Sequence, residues 1–221
     1  MENVESEFYE RYEAATGRSV SADRPTPMFT PFDLRGLTVP NRVVMAPMAQ
    51  YCADNGDLTD WHMTHYAARA MGGTGLIFTE MTCPTPDARI TPGCTGLWSD
   101  TQEAAFRQLV EQIHATGSKA ALQLGHAGRK GATKTPSGGM DMPLDEGEWP
   151  IYSASPIPYI EGTSVTPIEL DRAGMHNVVE SFVASAKRGA QAGFDMLELH
   201  CAHGYLLASF LSPLTNVRGD E

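Results

Sequence analysis

Basic residues are scarce in this 221-residue chain: 16 Lys and Arg against 27 Asp and Glu leave a net charge of −11. That excess of negative charge argues against a nucleic-acid or anionic-membrane partner. Long apolar runs are missing as well, and no stretch approaches the roughly 20 residues that span a bilayer. The acidic amino terminus, MENVESEFYERYE, has no apolar signal core. Cysteine is sparse: Cys52, Cys83, Cys94 and Cys201 stand apart with no C-x-x-C pair, which gives little support to a zinc ribbon. Scattered cysteines of this kind read as free thiols in a reducing compartment. The expectation is a cytoplasmic protein.

What is present is ordinary for a globular chain, with 42% hydrophobic and 19% charged residues, enough for one domain or a little more. Residues 1–27 read as an N-terminal helix and linker: Val4, Phe8, Tyr12 and Ala15 share a helical face, and SVSADRPTP follows. From residue 28 the pattern alternates. RVVMAP (42–47), TGLIFTE (74–80), SKAALQLG (118–125) and FDMLELH (194–200) are short apolar strand candidates. Between them lie helical stripes. The first carries Met63, Tyr66, Ala67, Ala70 and Met71; His62 and His65 on the same segment read as packing or capping residues. The second opens on a Ser99–Gln102 capping pattern and buries Phe106, Leu109, Val110 and Ile113. The third is capped by Asp171 and carries Met175, Val178, Val179, Phe182, Val183 and Ala186. Residues 126–170 form a loop-rich insertion.

Strand–helix alternation predicts an α/β fold with a parallel sheet. A doubly wound sheet fits the alternation too, but no G-x-G-x-x-G follows the first strand. A (β/α)8 TIM barrel is favoured. Such a barrel needs eight units and typically about 250 residues, whereas only four are visible, so residues 28–221 read as the N-terminal half of one.

The chemically unusual residues gather at the carboxyl ends of these strands, the face on which barrel sites are built. Pro47 to Tyr51 follow the first, Glu80 and Met81 the second, Gln123, His126 and Arg129 the third, and His200, His203 and Tyr205 the fourth. Two neutral imidazoles can donate to one carbonyl oxygen, and a phenol can deliver a proton. Gln123 offers a donor and an acceptor together, and Arg218 a fixed positive charge. With no activated nucleophile and no base dyad, the set reads as a holder for a redox cofactor. Each residue also has a plainer role open to it: satisfied core or surface histidines, a barrel-layer glutamine, amphipathic tyrosines, methionine filler.

The segments FTPFDLRGLTVPNRVVMAPMAQY, GLIFTE, QLGHAGRK, SASPIPY and ELHCAHGYLLASFLSPLTNVRGDE resemble, in order, the old yellow enzyme family of FMN-dependent oxidoreductases, in its bacterial two-histidine subgroup. The resemblance implies FMN as cofactor, NADPH or NADH as reductant, and hydride delivery to an activated alkene. It places Pro47, Met48, Ala49, Met81, Gln123 and Arg218 against the flavin. It gives His200 and His203 the substrate's activating oxygen, Tyr51 a wall of the substrate site and Tyr205 the proton donor. It also implies a homo-oligomer at full length. Ala49 departs from the cysteine usual at that position, with Cys52 three residues on. SGGMDMPLDEGEWPIYSASPIPY and FYERYEAATGR are further similar to the reductase portion of bifunctional anthraniloyl-CoA monooxygenases, which implies an aromatic CoA thioester in place of an enone-like substrate and makes residues 1–27 the tail of a preceding domain. Two readings of other classes compete: a half-barrel that is inactive alone or serves as an oligomerisation module, and a metal-dependent barrel hydrolase using His200 and His203.

Overall fold

A computed structural model describes residues 2–20 and 25–220, with side chains from Ser6 onward. The Val4 side chain of the predicted stripe and residues 21–24 of the predicted linker lie outside the described residues. Helix α1 (Glu2–Thr16) buries Tyr9 and Tyr12. The Arg42 guanidinium lies 5.1 Å from the Phe8 ring centre and 4.9 Å from that of Phe32. Its aromatic face therefore docks on the fold that follows, although its sequence reads as an appendage.

An antiparallel hairpin comes next, β1 (Phe32–Leu34) and β2 (Leu37–Val39). The chain then runs through β3 (Val44–Met45), α2 (Asp60–Met71), β4 (Leu76–Phe78), α3 (Asp100–His114), β5 (Lys119–Leu124), the short α4 (Pro136–Gly139), β6 (Tyr152–Ser153), β7 (Ile168–Glu169), α5 (Arg172–Ala192), β8 (Met196–Leu199) and α6 (Leu206–Leu211). Strands β3, β4, β5 and β8 pair in that order, all parallel, while β6 and β7 make a separate two-stranded ribbon. Sequential parallel strands with helical crossovers make the arc of a barrel, as the alternation predicts.

Side-chain alternation sorts this arc into two faces. Ile77, Leu122 and Leu124 point outward and pack under α2, α3 and α5 with Tyr66, Phe106, Leu109, Val110 and Ile113. Leu76, Phe78, Ala121 and Met196 point inward, where Leu34, Leu37 and Val39 of the hairpin cover them. Burying each large apolar side chain contributes roughly 1.5–3 kcal/mol. Helix α3 starts as predicted: the Ser99 hydroxyl accepts the Gln102 N–H at 3.2 Å, and Gln102 Oε1 accepts the Ser99 N–H at 3.2 Å.

Two predicted faces need correction. Met71 is 74% exposed in the last turn of α2. On α5, Val179 and Val183 are exposed, and the buried positions are instead Ser185, Gly189 and Ala192. Small residues win there because the helix lies so close to β5 that a Cβ on Gly189 would sit 2.5 Å from Leu122 Cδ2. Periodicity weighted by apolar bulk favours the valines; close approach requires the small side chains.

Candidate active site

Strand pairing fixes the frame of the site. Gln123 on β5 stands opposite Glu198 on β8, and the next backbone bond up the ladder runs from the His200 N–H to Leu124 O at 2.8 Å. Residues two apart on a strand share a face, so Glu198 and His200 point to the same side as Gln123. The Gln123 amide donates to Glu198 Oε1 at 2.5 Å. Gln123 and the imidazole of His200 thus occupy successive layers of the inner face. Glu198 is a member that sequence reading missed; its signal is its place two residues before His200.

The polar cluster sits just beyond the strand ends. The His200 and His203 ring centres are 4.9 Å apart, His200 and Tyr205 4.9 Å, and His203 and Tyr205 6.2 Å. The Ala202 N–H donates to His200 Nδ1 at 3.2 Å. A neutral His200 therefore carries its proton on Nε2 and gives it to His203 Nδ1, 3.1 Å away. The free donor of the pair is then Nε2–H of His203. His203 itself holds a left-handed backbone (φ 56°), the kink that folds the two rings together. Burial, and next the neighbouring His203, lower the pKa of His200, so its imidazole is neutral at pH 7. Burial pushes the Tyr205 phenol well above its ordinary range, which keeps its proton on at neutral pH.

Tyr51 joins Tyr205 on the wall of a cavity of about 170 Å³ that also meets Lys130, Lys134, Met140 and Asp141. Tyr51 has φ 55°, and Gly93 presses against its backbone so closely that a Cβ there would sit 2.4 Å from Tyr51 O. Met81 is buried beneath the cluster with Cys83, Cys94 and Ala127. A Cβ on Gly125 would strike Met81 Cγ and Sδ at 2.5 Å and approach His200 Cβ to 3.1 Å.

The loop after β3, which carries Pro47, Met48 and Ala49, is tethered from behind. The Gln50 N–H donates to Glu80 Oε2 at 2.9 Å, and the Trp61 indole N–H holds Gln50 Oε1 at 3.1 Å. Met48 is exposed, with Pro47 and Ala49 half-buried. Cys52 faces this buried tether, its sulfur 3.7 Å from His62 Nε2, so it does not take the place of a cysteine at Ala49. His62 also caps α2, accepting the Thr59 N–H on Nδ1 at 2.9 Å.

Three further residues named from the sequence make other contacts. Arg218 donates to the carbonyls of Ala154 and Leu170 at 3.1 and 2.6 Å and grips Asp220 through Nε and Nη2 at 2.7 and 2.6 Å. The guanidinium pins residues 218–220 to the β6–β7 ribbon. His126 opens on a separate cavity of about 200 Å³ with Thr85, Asp87 and Tyr152. Arg129 donates to the carbonyls of Ile157 and Pro158. Among the described residues, no three His, Cys, Asp or Glu side chains are grouped to hold a metal ion.

The strand ends of this barrel arc converge on paired imidazoles and a phenol, the face on which barrel sites are built, and comparison with known proteins gives the family. Residues 27–221 match the NADH:flavin oxidoreductase / NADH oxidase family, and the chain belongs to it. An NADPH dehydrogenase from Bacillus licheniformis is 43% identical over 196 residues, which cover 88% of this chain and 53% of that protein. Morphinone reductase superposes with a TM-score of 0.76 at 32% identity, over 90% of this chain and 54% of that one. The old yellow enzyme from Pichia sp. AKU4542 does so with a TM-score of 0.76 at 28% identity, over 88% and 51%. The chain spans about half the length of the relatives it matches.

Proposed function

We propose that this chain forms the substrate-facing half of an FMN-dependent oxidoreductase that takes hydride from NAD(P)H and passes it to an activated alkene. The single observation that carries this reading is the packing of His200, His203 and Tyr205 at one strand-end mouth, with Gln123 one layer below. The family supports FMN, and the NADPH dehydrogenase relatives, with a morphinone reductase solved in complex with tetrahydroNAD, support a nicotinamide reductant.

The residues present fit one edge of a flavin. Gln123 keeps an amide acceptor and a second N–H beyond the bond to Glu198. The tethered loop at Pro47, Met48 and Ala49 supplies backbone at the same end of the sheet. Met81 gives an apolar floor. When bound, FMN supplies the hydride transfer; the protein contributes binding, orientation and a proton. An acceptor carbonyl displaces the His200–His203 contact and takes an N–H from each ring, trading one hydrogen bond for two. Both donors are neutral, which suits an oxygen that gains charge as the reaction proceeds. Tyr205, protonated and half-buried beside them, delivers the proton to carbon, and Tyr51 lines the cavity next to it. Free cysteine thiols support a cytoplasmic setting, and no described helix is long and apolar enough to cross a membrane.

The test uses protein expressed from its complete reading frame and supplied with FMN. Without oxygen, a yellow holoprotein should turn over NADPH continuously only when an acceptor is present, with cyclohexenone and an aromatic CoA thioester as the two arms. Tyr205→Phe should slow the step by about a hundredfold. Failure to bind FMN together with absence of NADPH consumption overturns the reading.

A further inference from the structure

Lys130 was not among the residues that the sequence singled out, yet three independent contacts converge on its ammonium. Nζ donates to the His203 carbonyl at 3.2 Å. It lies 5.3 Å from the Tyr205 ring centre and 4.3 Å from that of Tyr159. It also lines the cavity that Tyr51 and Tyr205 share. The loop that carries it is built against the histidine loop: the Leu206 N–H bonds His126 O at 2.9 Å, and a Cβ on Gly128 would meet the Leu206 backbone nitrogen at 2.8 Å. The 3-10 turn Gly128–Lys130 therefore cannot slide without moving the start of α6, and Lys130 is aimed by this fit.

We infer that Lys130 is a positioning residue, an ammonium clamp that holds the left-handed turn at His203 and the ring of Tyr205 in register for an acceptor. The inference rests on the roles proposed above for His203 and Tyr205. Two consequences follow from the placement. A carbonyl held by a cation keeps His203 in its φ 56° conformation, which few non-glycine residues adopt. A positive charge over an aromatic face also attracts the ring more strongly once the phenol has given up its proton. The titratable and charged groups around Tyr205 are His200 and His203 from its own loop, Tyr51 from the loop after β3, and Cys83 and Cys94 from the loop after β4. Lys130, Lys134 and Asp141 join them from the loop after β5. Lys134 is paired with Asp145 at 2.8 Å, so Lys130 is the ammonium directed at the rings.

Lys130→Met and Lys130→Arg, each made in the full FMN-loaded protein, separate the outcomes. The first readout needs no turnover: imidazole NMR of the His200–His203 pair at pH 7. Lys130→Met should shift and broaden the His203 resonances, because the carbonyl at the φ 56° turn has lost its donor, and Lys130→Arg should leave them unchanged. The second is the pH profile of flavin reoxidation by cyclohexenone. Lys130→Met should slow the proton-dependent limb about tenfold and raise KM, because Tyr205 and His203 are both released, and Lys130→Arg should restore most of both. If Lys130→Met does not fold, Lys130→Gln takes its place with the same expected outcome. Resonances and pH profiles that coincide with the parent protein in both variants overturn the inference. If Tyr205→Phe and His203→Ala leave turnover intact, the functional reading fails instead, and the imidazole spectrum still decides the role of Lys130.

Discussion

Glu80→Gln probes the tether behind the loop that carries Pro47, Met48 and Ala49. Glu80 is 1% exposed, yet its carboxylate faces three donors. The Gln50 N–H reaches Oε2 at 2.9 Å, while the Tyr66 hydroxyl and His62 Nε2 lie 3.4 and 3.3 Å from Oε1. The Thr59 N–H occupies His62 Nδ1, so the imidazole proton is on Nε2 and directed at Glu80. Glutamine keeps the shape but replaces one acceptor with an NH2 that must meet at least one of these donors head-on. Leaving a buried donor unpaired costs about 1–3 kcal/mol. Exchanging charge-assisted bonds for neutral ones costs roughly 1 kcal/mol more. Relief of the buried charge offsets part of that sum. A net loss of about 2–3 kcal/mol is expected. Urea unfolding at constant m measures it as a lowered midpoint, and FMN affinity should fall with it because Gln50 is the point where the loop is held. Unfolding within about 0.5 kcal/mol of the parent protein, with unchanged flavin affinity, would show that the convergence of donors on Glu80 has no energetic role.

Gly125→Ala places a methyl 2.5 Å from Met81 Cγ and 3.1 Å from His200 Cβ. The overpacking should cost about 1–3 kcal/mol and raise KM for the acceptor by displacing His200; an unchanged KM would mean that Met81 alone yields. His126 is buried, and that burial lowers its pKa to about 4. Between that value and the ordinary 6.5 the unfolded chain binds a proton that the native state does not, so stability falls as pH drops through this window, by about 3 kcal/mol in full. Midpoints of urea unfolding at pH 7 and pH 4 test this, and His126→Gln should flatten that limb.

The histidine pair and the phenol were legible because they follow an apolar run that ends in a break, and the glutamine because it is a polar residue near the end of another; strand ends are where barrel chemistry collects. Arg218 belongs to the same string of motif residues. It sits in chain beyond α6, where no strand register constrains its direction, and its guanidinium holds two backbone carbonyls and Asp220. Glu198 and Lys130 escaped notice for opposite reasons. One reads as a polar break within a strand, the other as an ordinary surface lysine, and only pairing and loop docking show what each touches.

Local patterning alone determined the order of elements, their caps and the identity of most groups at the mouth, because hydrophobic period and capping chemistry act over a few residues. Which face of α5 is buried, which tautomer each histidine adopts and which cations reach the rings were decided by tertiary contacts. Those depend on distances between segments far apart in the chain: 73 residues separate Lys130 from the carbonyl it holds. No periodicity along the sequence encodes such a separation.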